Sequence, residues 1–366
     1  MLAPPMTWVL VLDRASGDPT LRIAGLPVAL RLALDAQQGG ASAVVVSPEA
    51  AAARPVLSDA RLRLPVLDQA PGEARRVHVP ASFVVYRGLF RKIATQDEQS
   101  PSPPRERHLA TEPVAHEARW GFEPIDVHDA QTRRAAERAL FRALRKPEDG
   151  WTSRYLNRYI SLFLSRWLVK TPLHPNQISV GILGFGVAGA VFAAQGTELG
   201  LVLGAAMLQT QSVLDGCDGE MSRITYRGSR TGEWLDTIGD DLSNYGYFAG
   251  AAWSSFRLSG SLLYLLAGGV ILFSGLLSSG LEYRYLIKIG SGDLLKYPLS
   301  QSQNQSSGLF SQLTPLFKRD TFVLLTLLAA IAGWVGPMLL VFSLGALGIL
   351  ISVLLTERRL AREGLP

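Results

Sequence analysis

Residues Leu214–Asp241 read LDGCDGEMSRITYRGSRTGEWLDTIGDD and lie between two apolar runs. Asp215, Asp218, Asp236, Asp240 and Asp241 stand where a membrane-spanning stretch would begin. Carboxylates are costly in hydrocarbon, so their presence there points to function. Asp215 and Asp218 are three apart and Asp236 and Asp240 are four apart, so each pair occupies one helix face. Antiparallel packing of the two helices would gather four carboxylates. Like charges at that distance repel and take up protons unless a cation neutralises them. An all-oxygen donor set suits Mg²⁺ or Mn²⁺, with Ca²⁺ a further candidate. Two ions could be held as in two-metal phosphate chemistry. His78, His108, His116, His128 and His174 are scattered along the chain and read as structural or solvated, so no zinc cluster is expected.

The 366-residue chain is 48% hydrophobic with a net charge of +5. Its mean hydropathy of +0.17 hides a split. Residues up to about Gly150 are rich in Arg, Asp, Glu and Pro, whereas the chain after Gln177 is mostly apolar. One soluble half and one membrane half are expected. The single cysteine, Cys217, excludes an intrachain disulfide. The first residues lack a basic leader, so the soluble half is expected in the cytoplasm. The modest positive charge suits an anionic lipid surface or phosphate, and no nucleic-acid motif is present.

In the first half, 7–12 and 42–47 read as strands around a helix in 26–40, with two further strands in 75–80 and 81–86. This order predicts a small α/β domain with a mostly parallel sheet. Residues 97–118 read as a Pro-rich linker. A charged helix follows, capped by Asp129 and ended by Pro147. In 151–170 an aromatic stripe (Tyr155, Tyr159, Phe163, Trp167) opposes a polar one, as in a helix lying in a membrane interface. Six spans of about 20 residues fit the remainder, near 177–195, 198–217, 232–256, 260–283, 320–335 and 337–356. Basic residues concentrate in alternate loops, which places both termini in the cytoplasm of a multi-pass inner-membrane protein. The expected domains are 1–118 (α/β), 119–150 (linker with charged helix), 151–172 (interfacial helix) and 173–366 (six-span domain). The Ser/Gln-rich segment 300–315 is given no function.

The pattern Asp215-x-x-Asp218-Gly219-x-x-Ser222-Arg223, eight residues, Gly232-x-x-x-Asp236-x-x-x-Asp240 resembles the motif of the CDP-alcohol phosphotransferase family. Ser222 stands where the family usually has Ala. The resemblance implies a divalent-metal-dependent transferase. Asp215, Asp218, Asp236 and Asp240 would be its metal ligands, and Asp240 also the general base on the acceptor hydroxyl. Gly219, Ser222, Arg223 and Gly232 would border the nucleotide, with CMP as the leaving group. Pro175 and Asn176 resemble the segment that opens the family's first span, which adds Asn176 to the nucleotide site. Arg158, Lys318 and Arg319 are candidates for an acceptor phosphate. The implied partners are a CDP-alcohol donor (CDP-diacylglycerol or a CDP-polyol), a polyol or polyol-phosphate acceptor, the lipid bilayer and a second copy of the chain. The implied setting is phospholipid or polyol-phosphodiester synthesis.

Residues 144–161 resemble the join in fused archaeal and bacterial proteins related to di-myo-inositol-phosphate-phosphate synthase. In those proteins a nucleotidyltransferase domain precedes the membrane domain. Residues 22–46 resemble the Gly-x-Pro helix start of such a domain. The triphosphate loop expected after the first strand is replaced by VLDRASGDP, with Gly17 alone, and Arg22 is the nearest base. Phosphate cradling needs close backbone amides and a point charge, so an inactive nucleotidyltransferase-like domain is expected. The run GFGVAG at 184–189 lies inside a spanning stretch and reads as a helix-packing surface, not a dinucleotide loop. A transporter or metal-binding scaffold is the alternative, but no internal repeat supports it.

Overall fold

The computed structural model describes residues 8–100, 103–110, 121–145, 150–300 and 319–364. Lys318 and the Ser/Gln-rich segment 301–315 lie outside them. The chain forms two compact units.

The first unit comprises Met1–Lys146 with Val169–Thr171 and Arg223–Arg227. Its strands are β1 (Trp8–Asp13), β2 (Arg22–Ile23), β3 (Leu26–Pro27), β4 (Ala43–Val46), β5 (Val66–Leu67), β6 (Arg75–Pro80), β7 (Phe83–Val84), β8 (Glu106–His108) and β9 (Ile125–Asp126). Its helices are α1 (Val28–Gln38), α2 (Leu89–Gln99) and α3 (Ala130–Arg142). The main sheet runs β5-β4-β1-β6-β8, and every pair in it is parallel. Leu10 and Leu12 pack with Ala29 and Leu32 of α1 on one face, while Val9, Val11, Ala43 and Val45 form a smaller cluster on the other. Such continuous Val/Leu runs fit parallel strands buried on both faces.

Two expectations need correction. The stretch 81–86 gives only the two-residue β7, which pairs antiparallel with β9 outside the main sheet. The hydroxyl of Ser82 donates to Asp126 across this small pair. The supposed linker 97–118 contributes β8, the fifth parallel strand. Arg107 donates from Nε and Nη2 to the buried Asp97, which ties this polar strand to α2. Asp129 does cap α3, in a reciprocal box with Thr132.

The second unit is helical: α4 (Arg158–Leu168), α5 (Pro175–Ala193), α6 (Glu198–Ile224), α7 (Arg230–Ser259), α8 (Leu262–Ile289), α9 (Arg319–Ile331) and α10 (Val335–Glu363). A π-helical turn, Ser153–Asn157, precedes α4. Helices α5 to α10 match the six expected stretches in order. Three of them, α5, α8 and α10, are long and apolar enough to cross a membrane. The acids and amides of α6 and α7 and the 13-residue length of α9 keep the others below that mark. His174 caps α5, with Pro175 in the first turn.

Small residues set the spacing. A Cβ on Gly189 would meet the Gly204 carbonyl at 3.0 Å, and one on Gly186 would overlap the Ser243 side chain. The GFGVAG run therefore packs α5 against α6 and α7, as a helix-packing surface should.

Candidate active site

The acids converge. Asp215 on α6 and Asp236 and Asp240 on α7 each offer a carboxylate oxygen within 4.8 Å of the other two. Asp218, one turn after Asp215, is buried and accepts a hydrogen bond from Ser179 Oγ of α5. All four acids line one pocket together with Ser179 and Gln211. The i,i+3 and i,i+4 spacings place each pair on a single face, and α6 and α7 turn those faces toward each other.

A cation meets the cluster. Arg319, the first residue of α9, sets Nη1 2.6 Å from Asp240 Oδ2 and 3.5 Å from Asp215 Oδ2. Its Nε and Nη2 are buried and have no hydrogen-bond partner among the described residues. Buried donors without partners are costly, and they suit an anionic oxygen. The pocket's side-chain donors are carboxylates, the Ser179 hydroxyl and the Gln211 amide, which fits a hard divalent cation and not a thiophilic one.

No family model matches the chain. It is 33% identical over 133 residues to a protein of Aquifex aeolicus named Bifunctional IPC transferase and DIPP synthase, covering 36% of this chain and 30% of the relative. A protein of the same name from Thermococcus kodakarensis is 34% identical over 133 residues, with the same coverage. One from Rubrobacter xylanophilus is 31% identical over 150 residues, covering 41% of this chain and 34% of the relative. The chain is a relative of these bifunctional proteins. It spans about a third of their length.

The remaining residues named from the motif in this relative of the bifunctional proteins have distinct surroundings. Gly232 sits against Asn176: a Cβ there would lie 2.9 Å from Asn176 Oδ1. That oxygen also accepts from Ser229 Oγ at 3.2 Å, so Asn176 reaches the first turn of α7. Ser222 Oγ donates back to the Gly219 carbonyl, a local helix bond. Arg223 follows Gly219 by one helical turn and is grouped with the first unit. Asp241 turns away from the cluster and accepts from the hydroxyls of Ser279 and Tyr283 on α8.

Sequence reading missed Glu220. It is fully buried, and its carboxylate accepts from Arg158 Nη1 at 2.7 Å, Ser161 Oγ at 2.8 Å and Ser165 Oγ at 2.7 Å. This clamp ties the polar face of α4 to α6, between motif residues Gly219 and Arg223. Arg158 is thus placed on Glu220. Gly216 makes the close approach possible, because a Cβ there would lie 2.8 Å from Ser161 Oγ. The aromatic face of α4 and the turn before it stays outward, with Tyr155, Tyr159, Phe163 and Trp167 all exposed. That orientation suits a helix lying in a lipid interface. The signal was present: Arg158, Ser161 and Ser165 recur at helical spacing and need a common polar partner.

Proposed function

We propose that the protein is an integral-membrane CDP-alcohol phosphotransferase whose acceptor is a polyol phosphate. The observation that carries this reading is the meeting of Asp215, Asp236 and Asp240 from two helices beside the half-satisfied guanidinium of Arg319. The names of the relatives, with their transferase and synthase activities, support it.

Asp215, Asp218, Asp236 and Asp240 hold the metal. Mg²⁺ or Mn²⁺ supplies charge neutralisation to the donor's diphosphate when bound there. Asp240 takes the proton of the acceptor hydroxyl. The hydroxyl oxygen bonds to the β-phosphorus of the CDP-alcohol as the bond to the bridging oxygen breaks. CMP leaves with that electron pair. Arg223 binds phosphate oxygens of the donor through its planar fork. The free donors of Arg319 bind the acceptor's phosphate, and Asn176 and Gly232 border the nucleotide.

The N-terminal domain is read as a catalytically silent nucleotidyltransferase-like module. Its only loop glycine after β1 is used in packing: a Cβ on Gly17 would overlap the Val127 carbonyl. The helices α5 to α10 span the inner membrane, with both chain ends in the cytoplasm and a second copy as partner.

The test is CMP release by detergent-purified protein with Mg²⁺ or Mn²⁺. CDP-diacylglycerol and CDP-polyols would be offered with and without phosphorylated polyols, and the products identified by mass spectrometry. Metal-dependent CMP release that needs a phosphorylated acceptor is the expected result. No release from any CDP-alcohol, together with metal-dependent flux in vesicles, would favour the transporter reading instead.

A further inference from the structure

Two histidines that lie far apart in the sequence come together on the main sheet of the first unit. The register pairs Val11 of β1 with His78 of β6, and His78 with His108 of β8. In-register residues of adjacent strands share a face, and Asp13 shares it too, because it lies two residues beyond Val11. Three parallel strands thus carry Asp13, His78 and His108 to one patch near their carboxyl ends. The imidazoles stack with centroids 4.5 Å apart and an interplanar angle of 22°. Asp13 Oδ2 lies 3.0 Å from His78 Nδ1. Each of the three residues offers a ligand atom within 4.8 Å of the other two.

We propose that Asp13, His78 and His108 form a binding site for a divalent transition-metal ion such as Zn²⁺, distinct from the acidic cluster of α6 and α7. Four arguments converge on it. Imidazole nitrogens with one carboxylate select borderline ions over Mg²⁺, the reverse of the all-oxygen cluster. Neighbouring ligands at bonds of about 2.1 Å are roughly 3.0–3.4 Å apart, and the Asp13–His78 contact already has that spacing. Access is open: His78 and Asp13 are half-buried and His108 is exposed, so an ion can enter and keep a solvent or substrate position. The place is also apt. The chain passes from β1 to β4 on one side and returns to β6 on the other, so the strand order reverses between β1 and β6. Open α/β sheets bind ligands at the carboxyl ends of strands at that point. Where the phosphate loop is missing, the same crevice carries nitrogen ligands.

The experiment is a Co²⁺ titration of the full-length, chelator-stripped protein in detergent, with Mg²⁺ in large excess to fill the oxygen site. Visible d–d absorption reports Co²⁺ held by nitrogen ligands. One Co²⁺ per chain is expected, displaced by Zn²⁺. His78→Gln and His108→Gln should each weaken it roughly tenfold or more, while Asp215→Asn leaves the band unchanged. His108 is exposed, so its variant keeps the test meaningful should His78→Gln fold poorly. No Co²⁺ band above the Mg²⁺ background would overturn the site, as would a band of undiminished affinity in the His108 variant. Either result would leave the two rings as a stacked surface pair beside a carboxylate. The readout is binding alone, so its failure is separable from failure of the transferase reading.

Discussion

Arg319 Nη1 stands 2.6 Å from Asp240 Oδ2 and 3.5 Å from Asp215 Oδ2, so one guanidinium ties together the acids of two helices. Its other donors face inward without partners among the described residues. A charged hydrogen bond contributes about 1.5–3 kcal/mol, or roughly 10–100-fold in an equilibrium constant. Arg319→Gln should therefore raise KM for a phosphorylated acceptor by that factor. KM for the CDP-alcohol should stay nearly constant. Equal rises in both values, read from initial-rate kinetics, would remove the acceptor assignment.

Asp240 carries the sharpest prediction about turnover. Asp240→Asn keeps the shape of the side chain but cannot take a proton. Loss of general-base assistance should lower kcat by roughly 10²–10⁴-fold while nucleotide binding survives. Equilibrium binding of a CDP-alcohol beside single-turnover rates separates the two effects. Full turnover in this variant would reject the role of the base.

The Glu220 clamp is a stability prediction. Removing one partner of a buried ion pair costs about 3–5 kcal/mol. Glu220→Gln removes the charge that faces Arg158 Nη1 and should lower the unfolding midpoint in detergent markedly. A midpoint within error of the parent protein would show that α4 is held by other contacts.

Gly216→Ala tests the same seam sterically. The added methyl would press on Ser161 and on Arg158, whose Nη1 would lie 3.1 Å away. Overpacking of this kind costs about 1–3 kcal/mol. Ser161→Gly also removes a donor to Glu220, so the double variant Gly216→Ala with Ser161→Gly should lose less stability than the sum of the two single variants, because the colliding hydroxymethyl group is gone. A fully additive loss in thermal melts would point to a different cause.

Asp35 gives a pH dependence. Its fully buried carboxyl accepts from the Gly88 N–H at 2.8 Å and from Tyr226 at 3.3 Å, yet burial dominates and pushes its pKa up to about 6. Between about pH 4 and 6 the native state keeps a proton that the unfolded chain has lost. Stability should thus be highest below that window and fall as pH rises through it, by roughly 3 kcal/mol in total. Asp35→Asn should flatten this slope in denaturant titrations run at several pH values. An unchanged slope would assign the dependence to other groups.

Much of this was legible in the primary structure because it rests on local periodicity. The three- and four-residue spacings of the aspartates put them on helix faces whatever the surroundings. The aromatic stripe of 155–167 and the Asp129 cap have the same local origin. The fifth strand was not legible. Glu106–His108 is polar and follows a Pro-rich run, and only pairing with β6 makes it a strand. The stretch 81–86 failed for the opposite reason: its β-branched residues suggest a strand, but little of it pairs.

Glu220, Arg319 and the histidine pair mark the boundary. Side-chain type and spacing by themselves determined that two acid-bearing helices exist and that hard cations suit them, since helix geometry follows from the chain alone. Tertiary packing decided the partner of each charge. It gave Arg158 to Glu220, brought Arg319 to Asp240 across many residues of sequence, and stacked His108 on His78 through strand register. Such long-range pairings depend on which buried charges must be neutralised once water is excluded, and one-dimensional spacing does not encode that.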